Sequence, residues 1–353
     1  MSVHRQSSVS IENRLESPHS RSPFCKLVAH LTVYGACFLY CKNGEVMQNA
    51  RQGEQYMIRL VTTQGVKVEP TILDATEGTV MFEICFAVDE NYHLPAAVAA
   101  VSVARVSKRN DLRFWFISQN TLNPKIMGCL ENYFTNSGNA EVKYINFTGL
   151  TNFGKSGFEW VKHVNETMYL RLYIPEVIDV SRYLYLDADV LCVNEDIDLL
   201  ADVNLQDNTI GAVQDAWTFC FADSQGGLPG LRSLKHINPT SPYFNTGMMS
   251  VDVERWRERN ITSRSEKYLV ETTIRRYPDQ DALNVALYND WLELPSRFNE
   301  MRGYRYDNDC GSEFGDRVIF HSAGKSKPWH LDYPGEKRRM LFEKCKNDLL
   351  NMK

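Results

Sequence analysis

The cysteine spacing of a zinc or redox motif is absent from this 353-residue sequence, although it contains nine cysteines. No two cysteines have the two-residue separation of a zinc or redox motif, and their number is odd. Disulfide frameworks belong mainly to small domains in oxidising compartments, so this pattern favours a cytosolic protein with reduced thiols. We expect the thiols to fill the core.

Long apolar runs and an excess of positive charge are absent as well. Residues 1–21 are polar and rich in Ser and Arg, which is unlike a signal peptide. The most apolar early run, residues 27–40, is shorter than the roughly 20 apolar residues that span a bilayer. The net charge of −5 gives no general support for a nucleic-acid partner, which needs a clustered basic surface.

The composition is ordinary for a globular protein, with 43% hydrophobic and 24% charged residues. Residues 1–80 carry no recognisable motif, and we expect them to be a poorly structured or weakly packed extension. The main domain is then expected over 81–330, followed by a C-terminal helix over 331–353. Two alternatives stay open: Met81 could be the natural start, or residues 56–61 could form a strand of a small cap domain.

Short apolar runs alternate with helical patterns from Met81 onward. This alternation predicts an α/β fold with a mostly parallel central sheet flanked by helices. The predicted strands are 82–88, 112–117, 142–147, 182–186, 209–214, 248–253, 291–294 and 318–320, and the predicted helices are 94–106 and 166–177. Ligands bind beyond the carboxyl ends of strands in such sheets, where Asp89 and Asp187 both fall.

The Asp187-Ala188-Asp189 triplet, an Asp-x-Asp (DXD) motif, follows a predicted buried strand. Residues i and i+2 of an extended chain share a face, so both carboxylates point to the same side. At about 5 Å and an effective dielectric of about 20 they repel by roughly 3 kcal/mol, and a divalent cation removes this repulsion. The alternative is a solvated strand end followed by an acidic turn.

A basic loop follows the last predicted strand, with His321 at its start and Gly324, Lys325 and Lys327 after it. Gly lets the backbone approach a phosphate closely, and Lys supplies a positive charge. An imidazole beside two carboxylates favours Mn²⁺ over Mg²⁺. The loop therefore indicates a metal and diphosphate site, and the alternative is a surface histidine in an ordinary basic loop.

Five segments together resemble glycosyltransferase family 8, especially its bacterial lipopolysaccharide glucosyl- and galactosyltransferases. In the family's order, the segments are 86–92, 183–190, 243–247, 279–284 and 321–330. The resemblance implies a GT-A-type nucleotide-sugar fold and an enzyme that transfers a hexose, glucose or galactose, from a UDP-sugar. It also implies retention of the anomeric configuration and a lipid-linked or lipopolysaccharide oligosaccharide as acceptor.

The resemblance assigns a role to each residue that matches a family motif. Asp187, Asp189 and His321 would bind Mn²⁺ or Mg²⁺, and Asp279 and Gln280 would act in catalysis together with Asp189. The other implied donor-binding residues are Ala87, Asp89, Asn91, Arg171, Ala188, Asn245, Gly247, Gly324 and Lys327. Within this set, Asp89 and Asn91 would contact the uridine, and Gly324 and Lys327 would hold the diphosphate.

Several of these residues have an ordinary structural explanation. Asp89 could cap the helix that follows it, and Asp279 could cap a helix after Pro278. The run 245–247 could be an ordinary turn, because Asn and Gly are common in turns. Arg171 could be a solvated helical side chain. A side chain at a capped helix end is held rigidly, so a residue can cap a helix and also act in the site.

The expected position of Gln280 beneath the donor sugar favours one of two routes to retention. An amide is a poor nucleophile, so we favour front-face attack, in which the β-phosphate oxygen takes the acceptor's proton. The alternative is a covalent sugar intermediate. The metal and Lys327 would stabilise the departing oxygen.

Residues 336–353 predict a basic amphipathic helix with an apolar stripe of Leu341, Cys345, Leu349 and Met352. Such a helix can lie on an anionic surface, which would place a cytoplasmic enzyme peripherally on the cytoplasmic face of the inner membrane. The alternative is a helix that docks on its own domain.

Two other functions fit parts of the pattern. Haloacid-dehalogenase-type phosphatases also carry Asp-x-Asp after a strand, but they need Thr or Val where this chain has Leu191. A self-glycosylating priming protein like glycogenin would share the fold and the donor site.

Overall fold

The computed structural model describes residues 81–147, 166–223, 227–272, 277–302 and 314–351, together with seven short strands within the first 80 residues. The chain divides into two compact units, Met1–Val80 and Met81–Lys353. Met352 of the predicted apolar stripe lies outside the described residues.

The first unit contains two antiparallel sheets of short strands. The strands are β1 (Ser7–Ile11), β2 (Leu27–Leu31), β3 (Cys37–Tyr40), β4 (Val46–Gln48), β5 (Ala50–Gln52), β6 (Gln55–Met57) and β7 (Ile72–Leu73). One sheet has the order β1-β2-β3-β4, and the other has the order β5-β6-β7. The strand considered over 56–61 overlaps β6 at its first two residues. The weakly packed extension expected over 1–80 stays a prediction.

The second unit is built on a seven-stranded sheet and a two-stranded ribbon. Its strands are β8 (Phe82–Ala87), β9 (Leu112–Ser118), β10 (Ala140–Asn146), β11 (Arg182–Leu186), β12 (Val190–Cys192), β13 (Ile210–Gln214), β14 (Phe244–Asp252), β15 (Trp291–Glu293) and β16 (Ile319–His321). The sheet order is β10-β9-β8-β11-β14-β13-β15, while β12 pairs with β16. In the sheet β14 runs against both of its neighbours, and every other adjacent pair is parallel. The mostly parallel sheet predicted from the sequence is confirmed.

Helices cover both faces of this sheet. The α-helices are α1 (His93–Val106), α2 (Pro124–Ser137), α3 (Ile174–Val177), α4 (Val253–Glu258), α5 (Ile261–Glu271), α6 (Pro278–Ala286) and α7 (Glu336–Asn351), and 3-10 helices cover Glu166–Leu172, Glu195–Leu200, Leu231–Ser233 and Ser296–Phe298. The single helix predicted over 166–177 is wrong. It is a 3-10 helix followed by the one-turn α3, because Pro175 has no N–H to continue the hydrogen bonds of a longer helix and is tolerated in the first turn of a new one.

The side chains of each central strand alternate between two apolar clusters on opposite faces of the sheet. In β11, Leu184 and Leu186 join one cluster, whereas Tyr183 and Tyr185 join the other. This alternation is the period-two pattern of a strand buried on both faces. The core therefore directs Asp187, the residue after Leu186, to the same face of the sheet as Tyr185, whose hydroxyl donates to it.

Helix α7 packs on its own domain through one buried stripe. Phe342, Cys345 and Leu349 lie in the same cluster as the buried Ala and Val side chains of α1. Arg338 is also buried in this stripe, with its guanidinium carbon 4.2 Å from the centre of the Phe320 ring. The docked arrangement, one of the two alternatives considered, describes the packing of this helix. Within the described part of the chain, every helix is too short or too polar to cross a bilayer.

Candidate active site

The Asp187-Ala188-Asp189 triplet lies in the turn between β11 and β12. Ala188 is buried in the core cluster that contains Leu186, so the two flanking carboxylates face the other way. Backbone hydrogen bonds hold the turn at both ends. The Asp187 amide donates to the Gly247 carbonyl at 2.8 Å, and the Ser322 amide donates to the Asp189 carbonyl at 3.0 Å. The turn is therefore tied to both β14 and β16.

His321 reaches the two carboxylates from β16. It is the last residue of that strand, opposite Val190 of β12, and it is buried. Its Nε2 lies 3.3 Å from Asp189 Oδ1 and 3.7 Å from Asp187 Oδ2. Across the described residues, these three form the one group of acidic and imidazole side chains whose ligand atoms lie within 4.8 Å of one another. Two carboxylate oxygens and one imidazole nitrogen are a donor set that fits Mn²⁺.

Lys327 supplies a buried positive charge beside this triad. Its ammonium forms an ion pair with Asp189 and also donates to the Ser322 carbonyl at 2.9 Å. Burial opposes the charged ammonium, but Asp189 outweighs burial and raises the pKa of Lys327. Burial likewise opposes the Asp189 carboxylate, yet Lys327 and His321 hold the pKa of Asp189 below its usual range. Both groups therefore stay ionised at neutral pH.

Arg171 links the triad to the first turn of α6. Its guanidinium donates to Asp187 Oδ1 at 2.8 Å and lies 3.1 Å from Asp279 Oδ2. It also donates to Thr246 Oγ1 at 2.9 Å and lies 4.9 Å from the centre of the Tyr185 ring. Burial disfavours its charge, but Asp187 and Asp279 hold the pKa of Arg171 above its usual value. The alternative of a solvated arginine is wrong, because this side chain bridges two carboxylates.

Asp279 is buried at the start of α6, after Pro278. Burial raises the pKa of Asp279, and the charge of Arg171 offsets part of this rise. Gln280, the next residue, donates to Asp215 and accepts from the Thr246 amide at 3.2 Å. The start of α6 is thus fixed against β14 by hydrogen bonds.

Replacing Arg171 with Met should lower the free energy of unfolding by about 3–5 kcal/mol, because it removes the cation shared by the buried Asp279 and the partly buried Asp187. Chemical denaturation followed by circular dichroism measures this loss. Arg105→Met is the matched control, since Arg105 pairs with Asp348 at a partly exposed surface. Its expected cost is below about 1 kcal/mol. Equal losses in the two variants would show that the Arg171 bridge does not stabilise the fold.

A cavity of about 470 Å³ opens beside the triad. Twelve of the fourteen residues assigned from the family resemblance line it: Ala87, Asp89, Arg171, Asp187, Ala188, Asp189, Asn245, Asp279, Gln280, His321, Gly324 and Lys327. Asn91 and Gly247 are outside the lining. Asn91 is exposed, and its backbone amide donates to Asp89 Oδ1 at 2.8 Å. Asp89 also accepts from the Tyr92 amide at 2.8 Å, so it stabilises the turn before α1 as well as lining the cavity.

Gly247 lies behind the imidazole of His321 and below the cavity surface. A methyl group at this position would lie 2.7 Å from His321 Nδ1 and still closer to Cε1. Real side-chain atoms do not approach so closely, so Gly is required for the imidazole to occupy its place. The alternative of an ordinary turn over 245–247 is wrong, because these residues belong to β14.

Sequence reasoning missed nine of the residues that line the cavity. They are Tyr92, Thr167, Met168, Asp215, Trp217, Thr246, Tyr277, Pro278 and Ala323. Asp215 directly follows β13, so the strand-end rule that selected Asp187 could have found it. Trp217 and Tyr277 are 44% and 49% exposed. These two aromatic side chains lie at the rim of the cavity, and neither belongs to a short sequence motif that would have predicted this position.

Comparisons of sequence and structure relate this chain to known glycosyltransferases. A family model described as glycosyl transferase family 8 matches residues 83–332. General stress protein A of Bacillus subtilis (strain 168) is 32% identical over 187 residues, which cover 48% of this chain and 60% of that protein. A lipopolysaccharide 1,2-glucosyltransferase of Escherichia coli is 25% identical over 276 residues, covering 74% and 76%. Several of the alignments to curated relatives span only about half of those proteins.

A solved structure of the galactosyltransferase LgtC, in complex with donor and acceptor sugar analogues, has the same fold. The TM-score is 0.59 at 26% identity, and the match covers 74% of this chain and 96% of that one. The predicted GT-A-type fold and the predicted relation to lipopolysaccharide glucosyl- and galactosyltransferases are both confirmed. Because the family match extends over most of the second unit, the chain belongs to glycosyl transferase family 8.

Proposed function

We propose that this protein is a metal-dependent, retaining hexosyltransferase that moves glucose or galactose from a UDP-sugar to a saccharide acceptor. The observation that carries the proposal is the convergence of Asp187, Asp189 and His321 on one wall of the cavity. A phosphatase that uses Asp187 as nucleophile is disfavoured, because Arg171 and Tyr185 both donate hydrogen bonds to Asp187 Oδ1.

Asp187, Asp189 and His321 hold the cation in this proposal, with Mn²⁺ preferred and Mg²⁺ as the alternative. The bound cation supplies Lewis-acid neutralisation of the donor diphosphate. Lys327 lies where its ammonium can also pair with a phosphate oxygen, and Gly324 leaves the backbone open beside it. Gly324 has a φ of +109°, and no described residue lies within 4 Å of the position that a Cβ would occupy, so the loop offers both space and backbone amides.

The hydrogen bonds of Gln280 support front-face attack over a covalent intermediate. Its Oε1 accepts from Asn245 Nδ2 at 3.1 Å and from the Thr246 amide at 3.2 Å, so both of its lone pairs are engaged. Asp279 is likewise held against Arg171. We infer that these side chains position the sugar. The acceptor hydroxyl then attacks on the face that UDP leaves, and a β-phosphate oxygen takes its proton.

The acceptor in this proposal is a lipid-linked or lipopolysaccharide oligosaccharide. The exposed faces of Trp217 and Tyr277 at the cavity rim suit the apolar face of a sugar ring. The proposed localisation of the enzyme is the cytoplasmic face of the inner membrane. Because the apolar stripe of α7 faces the domain, contact with an anionic surface would be electrostatic, through side chains such as Lys337, Arg339 and Lys344.

A donor screen tests the proposal directly. UDP release from UDP-glucose and UDP-galactose is measured with Mn²⁺, with Mg²⁺ and with EDTA, each with and without a lipopolysaccharide-core acceptor. We expect release that depends on the cation and rises with acceptor, and an α-linked product by NMR. Sugar bound covalently to the protein in the absence of acceptor would identify a self-glycosylating primer instead. If neither donor is consumed or bound with any cation, the proposal is wrong.

A further inference from the structure

A line of buried hydrogen bonds runs beneath the cavity from Asp215 to His321. Its two intermediate members are Asn245 and Asn299, and all four side chains are at least nine-tenths buried. Asn299 lies just after the 3-10 helix Ser296–Phe298 and does not line the cavity. It therefore acts on the site through its neighbours. A buried polar network in which every member has a partner is rigid and has a defined direction.

Two groups that cannot change roles fix the direction of this network. The Asp215 carboxylate only accepts hydrogen bonds, and it takes one from Asn245 Nδ2 at 3.0 Å. The Gly247 backbone amide only donates, and it gives one to Asn245 Oδ1 at 2.9 Å. The Asn245 amide is thus held in one orientation, with its nitrogen toward Asp215 and its oxygen toward Gly247.

The orientation of the Asn245 amide determines that of the Asn299 amide, which in turn determines which nitrogen of the His321 imidazole carries the proton. Asn245 Oδ1 is an acceptor, so Asn299 must present its Nδ2, which donates at 2.9 Å. Asn299 Oδ1 then faces His321 Nδ1 at 2.9 Å. An amide oxygen requires a proton on that ring nitrogen. In the neutral ring, Nε2 is therefore left with its lone pair, and Nε2 is the atom directed at Asp187 and Asp189.

We infer that Asn299 is a positioning residue that holds neutral His321 as the Nδ1–H tautomer, so that the Nε2 lone pair is available to the cation. The inference rests on the metal site of the proposed function. Histidine in water prefers the Nε2–H tautomer, which would turn an N–H toward the carboxylates and block coordination. Hydrogen-bond partners of this kind fix the tautomer and orientation of metal-binding histidines.

The test begins with the tautomer in the metal-free, full-length protein at pH 8.5. Two-bond ¹H–¹⁵N spectra of ¹⁵N-histidine-labelled protein distinguish the two forms, and the His321 signals are those lost in His321→Ala. We expect Nδ1–H in the wild type, Nε2–H in Asn299→Leu and Nδ1–H again in Asn299→Asp, whose carboxylate still accepts from Nδ1. Mn²⁺ affinity, measured by electron paramagnetic resonance, should fall about 10–100-fold in Asn299→Leu.

Thr209→Val is the matched control for loss of a buried hydrogen bond. Thr209 Oγ1 bonds Asp290 at 2.7 Å before the start of β13, away from the triad. This variant should keep the His321 tautomer and the Mn²⁺ affinity. An Nε2–H wild type, or a folded Asn299→Leu with unchanged tautomer and affinity, would overturn the inference. If Asn299→Leu does not fold, the spectra of the wild type and of Asn299→Asp still show whether His321 is the Nδ1–H tautomer. Failure of the wild type to bind Mn²⁺ counts against the proposed function and leaves the tautomer result standing.

Discussion

Replacement of Asp189 with Asn is expected to lower kcat/KM on the order of 10³-fold, the largest effect of any single change considered. Asn keeps the size of the side chain but removes one of the two carboxylates proposed to bind the cation. Loss of about 4 kcal/mol of transition-state stabilisation corresponds to that factor. Cation-dependent UDP release measures the effect, and Mn²⁺ titration should show weaker binding.

The ion pair with Lys327 needs its own control, because Asp189→Asn also leaves a buried ammonium without its partner. Removing one member of a buried pair costs about 3–5 kcal/mol of stability. The double variant Asp189→Asn/Lys327→Met removes both charges, so it should recover much of the stability and none of the activity. Glu195→Gln, at an exposed ion pair with Lys108, should leave both unchanged. Recovery of transfer in the double variant would contradict a metal-binding role for Asp189.

Replacement of Gly247 with Ala should have the second-largest effect. The new methyl group would overlap the imidazole of His321, and the Gly247 carbonyl is the group that accepts from the Asp187 amide. Two of the three proposed ligands must therefore shift together. We expect Mn²⁺ affinity to fall about 100-fold, near the upper end for a neighbour of a ligand. Overpacking should also lower stability by about 1–3 kcal/mol.

Gly128→Ala is the matched control for Gly247→Ala. Gly128 lies in α2, and no atom of the described part of the chain comes within 4 Å of the position that a Cβ would occupy, so the same substitution has room there. It should raise stability by about 0.5–1 kcal/mol, because Gly is unfavourable inside a helix. Thermal unfolding and Mn²⁺ titration of both variants make the comparison. Normal Mn²⁺ affinity in Gly247→Ala would mean that His321 does not bind the cation from its observed position.

The sheet and the triad could be predicted because they leave local signals. Strands such as β8 and β11 are short apolar runs, and a carboxylate after each one marks the edge where ligands bind. The combination of distant residues such as Asp187 and His321 needed the family resemblance, since spacing alone does not bring them together. Within the described residues, their convergence now has a structural basis in the pairing of β12 with β16.

Other features had no local signal. Arg338 belongs to the buried stripe of α7, but a prediction based on hydropathy treats Arg as a polar, exposed residue. The predicted stripe therefore omits Arg338, and it contains Leu341 where the structure has Phe342. The contact with Phe320 that permits its burial comes from a distant strand. Asn299 is a single Asn in an irregular segment, and its importance depends on two partners, Asn245 and His321, that are distant in sequence. Tertiary contacts of this kind can be read only from the fold.

The reversed direction of β14 bears on how this site could change over time. Strand β13 ends at the cavity and β14 begins there, with the Asp215 amide bonded to the Tyr243 carbonyl at 2.9 Å. The connection between them therefore leaves from and returns to the mouth of the cavity, and it carries Trp217. The length or sequence of this connection could therefore change to suit a new acceptor, while the residues proposed to bind the cation, which lie outside this connection, keep their positions.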